Sequence, residues 1–462
     1  MMAKLRLEDI ARRTGGRILQ GSPDLTFGAY GIDSRLTVPG ELFFAIVDRR
    51  DGHDFVSAAA GRGAAGAVVS RPLSVPGPHF GLVEVEDTVA ALQALARSVL
   101  DQNPVRIVGV TGSIGKTTTK EFAAELLSGH FRVLKSRGNF NNRLGLALSL
   151  LRLERQHEVA VLEMGMSAPG EIRALAAIAP PDVAVITNIH PVHLQFFKGM
   201  EEIATAKKEI LDGAGKGATA VLNGDSPLVM KIAEDWKGSR VTFGLGPECD
   251  VRAEAIRRRG YEGLEFILSS AGEKAKVDFP FINESFVPDL LAAAAVCRAL
   301  GLTLAEIRPK IAGLRPSSMR GVLVGLGGGV RLYDDSYNSN PRALEAALMS
   351  LGALPASRKV AVLADMLELG EDEREFHRQA GAAVARWGWD VLVAVGPLAA
   401  HIAEEAATSG LPRKSILTFP DAATAATHIN DIVRDGDLVL VKGSRGMRME
   451  VLVEKIETRG KE

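Results

Sequence analysis

Cysteine is nearly missing from this sequence, which contains two among its 462 residues, Cys249 and Cys297. Two thiols cannot build a disulfide framework or a cysteine-rich metal cluster, and so few of them are typical of a reducing compartment. An excess of one charge is missing too, because 55 Lys and Arg against 56 Asp and Glu leave a formal net charge of −1. This balance argues against nucleic acid as a partner, since such proteins usually carry a basic excess.

Long apolar runs are also missing. No stretch reaches the roughly 18 residues that a membrane-spanning helix needs. The N-terminal segment MMAKLRLEDIARRTGG mixes acidic and basic residues and has no apolar core of a secretory signal. We therefore expect a cytoplasmic protein that does not insert into a membrane, and we expect a monomer.

What is present fits an ordinary globular protein with more than one domain. Apolar residues make up 46% of the chain and charged residues 24%, and a chain of this length exceeds what one hydrophobic core usually organises. Changes of composition along the chain predict three units, at residues 1–84, 85–312 and 313–462. Internal repeats and low-complexity segments are absent from the sequence.

The second and third units alternate short apolar strands with helices. The strands are predicted at 105–110, 159–162, 183–186 and 218–222, and then at 330–333, 359–363, 391–395 and 438–441. This alternation indicates βαβ connections and mostly parallel sheets. Residues 251–279 instead show the alternation of β-hairpins. The glycine-rich run 325–329 is predicted to turn a hairpin rather than to bind a dinucleotide.

The most informative segment is a glycine-rich turn between a predicted strand and a predicted helix. It reads Thr111-Gly112-Ser113-Ile114-Gly115-Lys116-Thr117-Thr118. The backbone N–H groups of such a turn and the start of the following helix attract phosphate. Lys116 can reach the β- and γ-phosphates, and the Thr117 hydroxyl can bind Mg²⁺. Although Val110 replaces the first glycine of the general phosphate-loop pattern, the segment predicts a nucleoside triphosphate site.

Candidate metal ligands follow the next strands of the second unit. Glu163 comes directly after one strand, and the carboxyl ends of parallel strands share an edge with the phosphate loop, so Glu163 is a candidate Mg²⁺ ligand. His190 and His193 follow the next strand at the same edge, which favours contact of one of them with the metal. Lys207 and Lys208 lie on a predicted helix, and from the residues alone this pair is interpreted as solvated surface.

Polar residues also collect at three strand ends of the third unit. They form DDSYNSNP at 334–341, DMLELGE at 365–371 and KGSR at 442–445. Loops at strand ends often carry function. Three such ends in one unit predict a binding edge rather than three unrelated helix caps.

Together these motifs resemble those of the Mur ligase family, and within it the dipeptide-adding MurF type. The resemblance covers nearly the whole chain. Its motifs are TGSIGKTTTKE, GNFNNRLG, EMGMSAPGEI, the HL pair at 193–194, AKKEI, DDSYNSNP, DMLELGEDE and VKGSRGMRME, with DSR at 33–35 and DGHDF at 51–55. DDSYNSNP with DMLELGE distinguishes this type from sister ligases that add a single amino acid.

The resemblance implies a three-domain α/β fold. A small N-terminal domain would bind the UDP-sugar of the substrate, and a central phosphate-loop domain with a mostly parallel sheet would bind ATP. A C-terminal Rossmann-like domain would bind the incoming dipeptide and close on ATP. The implied reaction turns a carboxylate of UDP-N-acetylmuramoyl-tripeptide into an acyl phosphate, which the amine of D-alanyl-D-alanine attacks. Each step concentrates negative charge, so cations and N–H donors should carry most of the catalysis.

Carried over motif by motif, the resemblance implies a set of site residues. The implied catalytic residues are Lys116, Glu163, His193 and Lys207. Those for ATP are Thr111, Gly112, Ser113, Ile114, Gly115, Lys116, Thr117, Thr118, Arg320 and Asp335. Those for the substrates are Ser34 and Arg35 on the uridine-sugar side, Asn141 and Asn142 near the centre, and Asn338, Asn340, Lys442 and Ser444 for the peptide or dipeptide. Two Mg²⁺ ions are implied, held by Thr117, Glu163, His193 and Lys207.

Lys207 matches a lysine that this family carbamylates. An ammonium about 6 Å from a divalent metal is repelled by roughly 5 kcal/mol at an effective dielectric constant near 20. Addition of CO₂ turns that cation into a carboxylate-like metal ligand. The resemblance therefore favours a functional Lys207 over a solvated one.

Some positions depart from the family pattern. Asn283-Glu284-Ser285-Phe286 stands where the family usually has G-x-H-N beside the adenine. Ala168, Arg143 and the run 46–49 also differ from the usual residues. None of these positions belongs to the phosphate loop or to the implied metal ligands.

Other functions stay open from the sequence. A catalytically weak relative that serves as a binding or scaffold protein would fit the adenine-side departures, but the intact Lys116, Glu163, His193 and Lys207 argue against it. A phosphate-loop GTPase or motor would need a base-reading NKxD motif, which is absent. A sister ligase of the folate or amino-acid type differs in its substrate, so a screen of amine acceptors would distinguish it.

Overall fold

The computed structural model describes residues 4–74, 77, 79–191, 197 and 199–459. Three sheets of five, nine and six strands lie one after another along the chain, and a separate pair of short strands adjoins the first. The predicted α/β class with mostly parallel sheets is confirmed. No helix of the described residues is long and apolar enough to cross a membrane.

The first sheet is small and is flanked by helices. Its strands and the separate pair are β1 (Leu5–Arg6), β2 (Arg17–Gln20), β3 (Thr26–Phe27), β4 (Ala29–Gly31), β5 (Glu41–Phe44), β6 (Gly66–Val69) and β7 (Gly81–Glu84), and the helices are α1 (Leu7–Thr14), α2 (Val56–Gly61) and α3 (Thr88–Gln102). The sheet order is β2-β7-β6-β5-β4, in which only the β2–β7 pair is antiparallel. The helix α1 has acidic residues in its first turn and basic residues in its last, which suits the helix dipole.

The second sheet carries the phosphate loop. Its strands are β8 (Arg106–Thr111), β9 (Val133–Lys135), β10 (Val159–Glu163), β11 (Val183–Ile186), β12 (Thr219–Asn223), β13 (Ser239–Gly244), β14 (Val251–Arg258), β15 (Leu264–Ser270) and β16 (Glu273–Phe279). Its helices are α4 (Lys116–Leu127), α5 (Arg143–Leu150), α6 (Glu171–Ile178), α7 (Met200–Asp212), α8 (Pro227–Ile232), α9 (Val287–Ala299) and α10 (Leu304–Ile311). The order is β16-β15-β14-β13-β12-β11-β8-β10-β9.

The seven strands from β8 to β14 are neighbours in this sheet and run parallel to one another. The strands β15 and β16 extend the sheet as antiparallel hairpins. The predicted change to hairpins at 251–279 is therefore confirmed. Both faces of the sheet are covered. On β8, Ile107 faces a core shared with the first unit, whereas Val108 and Val110 face the core formed with α4 and α9. Burial on both faces explains why these strands are continuously apolar.

The third sheet has one antiparallel edge strand on an otherwise parallel set. Its strands are β17 (Val322–Gly325), β18 (Arg331–Asp335), β19 (Arg358–Ala364), β20 (Val391–Val395), β21 (Ile416–Phe419) and β22 (Asp437–Lys442), and its helices are α11 (Pro341–Gly352), α12 (Glu373–Arg386), α13 (Ala399–Thr408), α14 (Ala422–Ile432) and α15 (Glu450–Glu457). The order is β17-β18-β22-β19-β20-β21. Because β17 and β18 pair antiparallel across 326–330, the predicted hairpin turn is confirmed.

The third unit contacts the second through the segment that departs from the family pattern. Ser350 Oγ donates to Asn283 Oδ1 at 3.4 Å, and Ile282 packs into the core of the third unit. Phe286 is buried against Phe281, with ring centroids 4.9 Å apart. Asn283 and Phe286 therefore serve packing and interdomain contact in this chain.

Candidate functional site

The phosphate loop connects the end of β8 to the start of α4. Gly112 and Gly115 have φ angles of +148° and +84°, which favour glycine. Asn188, just beyond β11, holds the loop in place. Its Oδ1 accepts from the Ile114 N–H at 2.9 Å, and its backbone oxygen accepts from the Ser113 N–H at 3.0 Å. Asn188 thus fixes the loop, and the sequence pattern did not predict this role.

Gly115→Ala tests how tightly this loop is built. A Cβ at Gly115 would overlap the carboxylate oxygen Oδ1 of buried Asp289. A side chain at this positive φ would also strain the backbone by about 1–2 kcal/mol. We expect Gly115→Ala to abolish MgADP binding in calorimetry. Gly170→Ala is the matched control, because Gly170 also precedes a helix with φ +86° but has open space around its Cβ position. Wild-type nucleotide affinity in Gly115→Ala would contradict the tight packing.

Lys116 begins α4 and turns back over the loop. Its Nζ donates to the backbone oxygens of Gly112 at 2.8 Å and Ser113 at 3.2 Å. Burial lowers the pKa of Lys116, Glu163 opposes this change, and the charge of Arg320 adds to it. The ammonium therefore lies over the loop that would receive phosphate.

Glu163 ends β10 directly beside the loop and is 2% exposed. Its Oε2 accepts from Thr117 Oγ1 at 2.8 Å, and its Oε1 accepts from Asn141 Nδ2 at 2.9 Å. Hydroxyl, amide and carboxylate oxygens are the hard ligands that Mg²⁺ prefers. The structure thus brings Thr117, Glu163 and Asn141 together beside the phosphate loop.

These residues fit a magnesium ion that is shared with phosphate. The described residues contain no group of three or more His, Cys, Asp or Glu placed to hold a metal. Mg²⁺ needs no such cage, since it is usually bound through one or two carboxylates, water and substrate phosphates. The Thr117–Glu163 contact beside the phosphate loop therefore suits this ion.

Lys207 is buried on α7, whereas its neighbour Lys208 is not. Lys207 is 2% exposed, and no described residue gives it a hydrogen bond or an ion pair. Burial, and after it the charge of Lys116, hold the pKa of Lys207 well below its usual value. Lys208 Nζ instead pairs with Asp235 Oδ2 at 2.5 Å. The solvated-surface interpretation is therefore wrong for Lys207.

Of the two histidines predicted after β11, His190 lies among the described residues. His193 lies outside the described residues. His190 contacts the phosphate loop, because its backbone N–H donates to Ser113 Oγ at 2.9 Å and its backbone oxygen accepts from the same hydroxyl at 3.0 Å. Burial, with the charge of Arg342, lowers the pKa of His190 to about 4, so its imidazole is neutral at pH 7.

The polar strand ends of the third unit meet at one edge. Lys442 Nζ pairs with Asp335 Oδ2 at 2.5 Å and donates to the backbone oxygen of Asn338 at 3.0 Å. Ser444 Oγ accepts from the Leu367 N–H at 2.9 Å. The expected common edge is therefore present. Asn340 has a local role, because its Oδ1 caps α11 by accepting from the Ala343 N–H.

Arg320 links the third unit to the phosphate loop. Its guanidinium lies 4.0 Å from the centroid of the Tyr337 ring, and its charge lowers the pKa of Lys116. Arg320 also acts on Asp289 of α9. Burial raises the pKa of Asp289 well above its usual value, whereas a hydrogen bond from Thr119 and the charge of Arg320 oppose this. Asp289 was missed from the sequence, although it is the only carboxylate in the apolar helix α9.

The remaining predicted substrate residues make local contacts within their own parts of the chain. Ser34 is buried in the first unit, and exposed Arg35 pairs with Asp33 at 2.6 Å. No hydrogen bond or ion pair among the described residues connects them to the phosphate loop. Asn142 Oδ1 caps α5 by accepting from the Gly145 N–H at 2.9 Å.

Comparison with known proteins covers nearly the whole chain. The Mur ligase middle domain family matches residues 110–297, and the Mur ligase, glutamate ligase domain family matches residues 319–445. The curated UDP-N-acetylmuramoyl-tripeptide–D-alanyl-D-alanine ligase of Bacillus subtilis (strain 168) is 33% identical over 459 residues, which cover 98% of this chain and 99% of that protein.

Solved structures are similar over the same length. A crystal structure of MurF from Acinetobacter baumannii has a TM-score of 0.89 at 30% identity and covers 99% of each chain. The MurF ligase from Thermotoga maritima in complex with ADP has a TM-score of 0.80 at 32% identity, over 93% of this chain and 97% of that one. In both sequence and fold, the chain is thus similar to these proteins over all three units.

Proposed function

The chain belongs to the Mur ligase family, and from this we propose that it joins D-alanyl-D-alanine to UDP-N-acetylmuramoyl-tripeptide at the expense of ATP. The observation that carries the proposal is the meeting of Lys116, Thr117 and Glu163 at the phosphate loop. This arrangement suits phosphoryl transfer to a carboxylate, because it supplies N–H donors, one cation and metal-binding oxygens in one place. The product is a precursor of peptidoglycan, and the reaction would take place in the cytoplasm in a monomeric enzyme.

The chain's own residues carry out binding and charge stabilisation. The N–H groups of Gly112–Thr118 hold the ATP phosphates, and Lys116 turns from the loop oxygens to the transferred phosphate. Thr117 and Glu163 would hold Mg²⁺, which supplies Lewis-acid stabilisation of the phosphate charge. The substrate carboxylate then takes the γ-phosphate, ADP leaves, and the amine of the dipeptide displaces phosphate from the acyl phosphate to form the amide.

Lys207 is proposed to act as a carbamate. Carbamate formation requires a neutral amine, which attacks CO₂ and loses a proton, and the lowered pKa of buried Lys207 supports that state. The resulting carboxylate-like group, with His193, would hold a second Mg²⁺. Ammonium at the same position would repel that ion.

The first and third units are proposed to bind the substrates. Ser34 and Arg35 of residues 1–84 would contact the uridine-sugar side. Asn338, Asn340, Lys442 and Ser444 of residues 313–462 would meet the peptide or the dipeptide. Asn141 and Asn142 would lie near the reacting carboxylate. Arg320 and Asp335 would contact ATP, so that the third unit closes on the second about a hinge near residues 313–320.

A coupled assay of phosphate release tests the function. Purified protein receives MgATP, UDP-N-acetylmuramoyl-tripeptide and one amine from a panel of D-alanyl-D-alanine, single D- and L-amino acids and glutamate. We expect release with D-alanyl-D-alanine, and a product whose mass equals both substrates minus water. Release with a single amino acid would indicate a sister ligase instead, and no release with any acceptor would indicate a catalytically weak relative.

A further inference from the structure

Lys120 is a fully buried lysine one helical turn beyond Lys116, and the proposed reaction assigns it no role. Its side chain is 0% exposed. Its ammonium donates to the backbone oxygens of Ser136 and Gly138, each at 2.9 Å. Burial of a charge is costly unless it is paired and hydrogen-bonded, so these contacts identify a built interaction rather than an incidental one.

Two carboxylates complete the surroundings of this ammonium. Glu121 Oε1 lies 3.0 Å from Lys120 Nζ, and Glu163 Oε2 lies 4.0 Å from it. Glu163 is the proposed metal ligand, and Glu121 also pairs with the exposed Lys135. Lys120 therefore stands between the phosphate-loop helix and the carboxylate that ends β10.

The carbonyls that Lys120 holds belong to residues 136–142, which we call the crossing segment. It follows β9, passes Glu163 and ends at α5. Ser136 Oγ accepts from the Glu163 N–H at 3.1 Å, Asn141 Nδ2 donates to Glu163 Oε1 at 2.9 Å, and the Gly165 N–H donates to the Asn141 oxygen at 2.8 Å. The Glu163 N–H and the Glu163 carboxylate therefore each contact a side chain of the crossing segment. The positions of those side chains depend on where the backbone of the segment lies.

The middle of the crossing segment is exposed. Residues 137–140 are exposed, and Phe140 is 39% exposed, whereas Ser136 is buried at its base. A segment with few buried apolar contacts opens easily. The Ser136 N–H also donates to the Val161 oxygen at 3.1 Å, so the base of the segment is held on β10. The two hydrogen bonds from Lys120 connect this first half to α4.

We propose that Lys120 is a positioning residue: its ammonium holds the crossing segment on the phosphate-loop helix, and thereby places Asn141, which bonds to Glu163, for the acyl donor. This inference rests on the proposed function only for the identity of the donor. Because α4 begins at the phosphate loop, the same lysine connects the nucleotide and donor sides of the site through a single side chain.

Hydrogen exchange tests the placement without any turnover. Lys120→Met keeps the aliphatic stem and removes the ammonium. We expect peptides that cover 136–142 to exchange about tenfold faster than in the wild type, while peptides from β8 and β11 keep their rates. Lys135→Met is the matched control, because it removes another lysine from Glu121 without a bond to the segment carbonyls. Equal exchange in Lys120→Met and the wild type would overturn the proposal.

Steady-state kinetics then separate positioning from folding. We expect the KM for UDP-N-acetylmuramoyl-tripeptide to rise about tenfold in Lys120→Met, with the Kd of MgADP changed by less than about threefold. Partial rescue is expected in Lys120→Gln, whose amide keeps N–H donors for the two carbonyls. An unchanged donor KM with a lowered kcat would overturn the proposal. If both variants fail to fold, Lys120 is a folding residue and the proposal is likewise overturned.

These experiments distinguish the two levels of inference. If the wild type shows no turnover with any acceptor, the proposed function fails, yet the exchange comparison still decides whether Lys120 holds the crossing segment. If the wild type ligates D-alanyl-D-alanine and the exchange rates do not differ, the function stands and the role of Lys120 fails.

Discussion

Lys207→Ala is expected to lower the ligation rate by at least about a thousandfold. The estimate follows from the lost attraction between the negative carbamate and the second metal, which is roughly 5 kcal/mol at about 6 Å and an effective dielectric constant near 20, at about 1.4 kcal/mol for each factor of ten. Its structural basis is the burial of Lys207 and its lowered pKa. Measurement is by phosphate release at saturating substrates.

The neighbouring lysine provides the control for this variant. Lys208→Ala removes a lysine from the same helix, but one that pairs with Asp235 at the surface, so its activity should stay within about twofold of the wild type. Acetate or formate should partly restore Lys207→Ala, because a small carboxylate can supply the missing oxygens. Full activity of Lys207→Ala without any additive would contradict the carbamate.

A second measurement does not depend on turnover. With ¹³C-labelled bicarbonate, the wild type should show a carbamate carbon resonance that Lys207→Ala lacks and Lys208→Ala keeps. Absence of this resonance from the wild type would remove the carbamate from the mechanism, whatever the activity of the variants.

The elements of the fold could be predicted because their signals are local. Strands buried on both faces are continuously apolar, and helix ends carry their caps. The predicted strands 183–186 and 391–395 therefore agree with β11 and β20, and the other compared strands differ by one or two residues at their ends. The phosphate loop was recognisable because glycine, lysine and hydroxyl residues are needed at fixed spacing. The family resemblance drawn from these motifs is confirmed by the curated relatives.

The parts of the site that escaped the sequence depend on contacts between distant segments. Lys207 and Lys208 are adjacent and identical in type, and only the packing of α7 buries one of them. Asp289 lies about 170 positions from Thr119, which bonds to it. Lys120 is part of the phosphate-loop motif, yet its acceptors are backbone oxygens, which leave no trace in side-chain identity.

Some departures from the family pattern have a structural reason. Phe286 fills a core position against Phe281, and Asn283 bonds to the third unit through Ser350. These residues are therefore accounted for by packing in the described part of the chain. The scaffold hypothesis loses its main support, since the departures do not reach the phosphate loop.

The second large effect is expected from Lys116→Met, which keeps the aliphatic stem and removes the ammonium. We expect the ligation rate to fall by about a thousandfold or more, because one lost donor to a developing anion costs about 10²–10³ and this donor also carries charge. Lys231→Met is the control, since Lys231 is an exposed lysine that pairs with Glu201. Wild-type turnover in Lys116→Met would contradict the ATP assignment.

Lys116→Met should also raise the pKa of Lys207. This change gives the variant a second and independent readout. The charge of Lys116 lowers the pKa of Lys207, so its removal should raise that pKa and reduce the neutral amine available at a given pH. The carbamate resonance should therefore reach half of its maximum at a higher pH in Lys116→Met than in the wild type, measured without Mg²⁺. A midpoint at the same or a lower pH would show that the two ammonium groups do not interact in solution. In that case the burial of Lys207 alone would have to account for its neutral state.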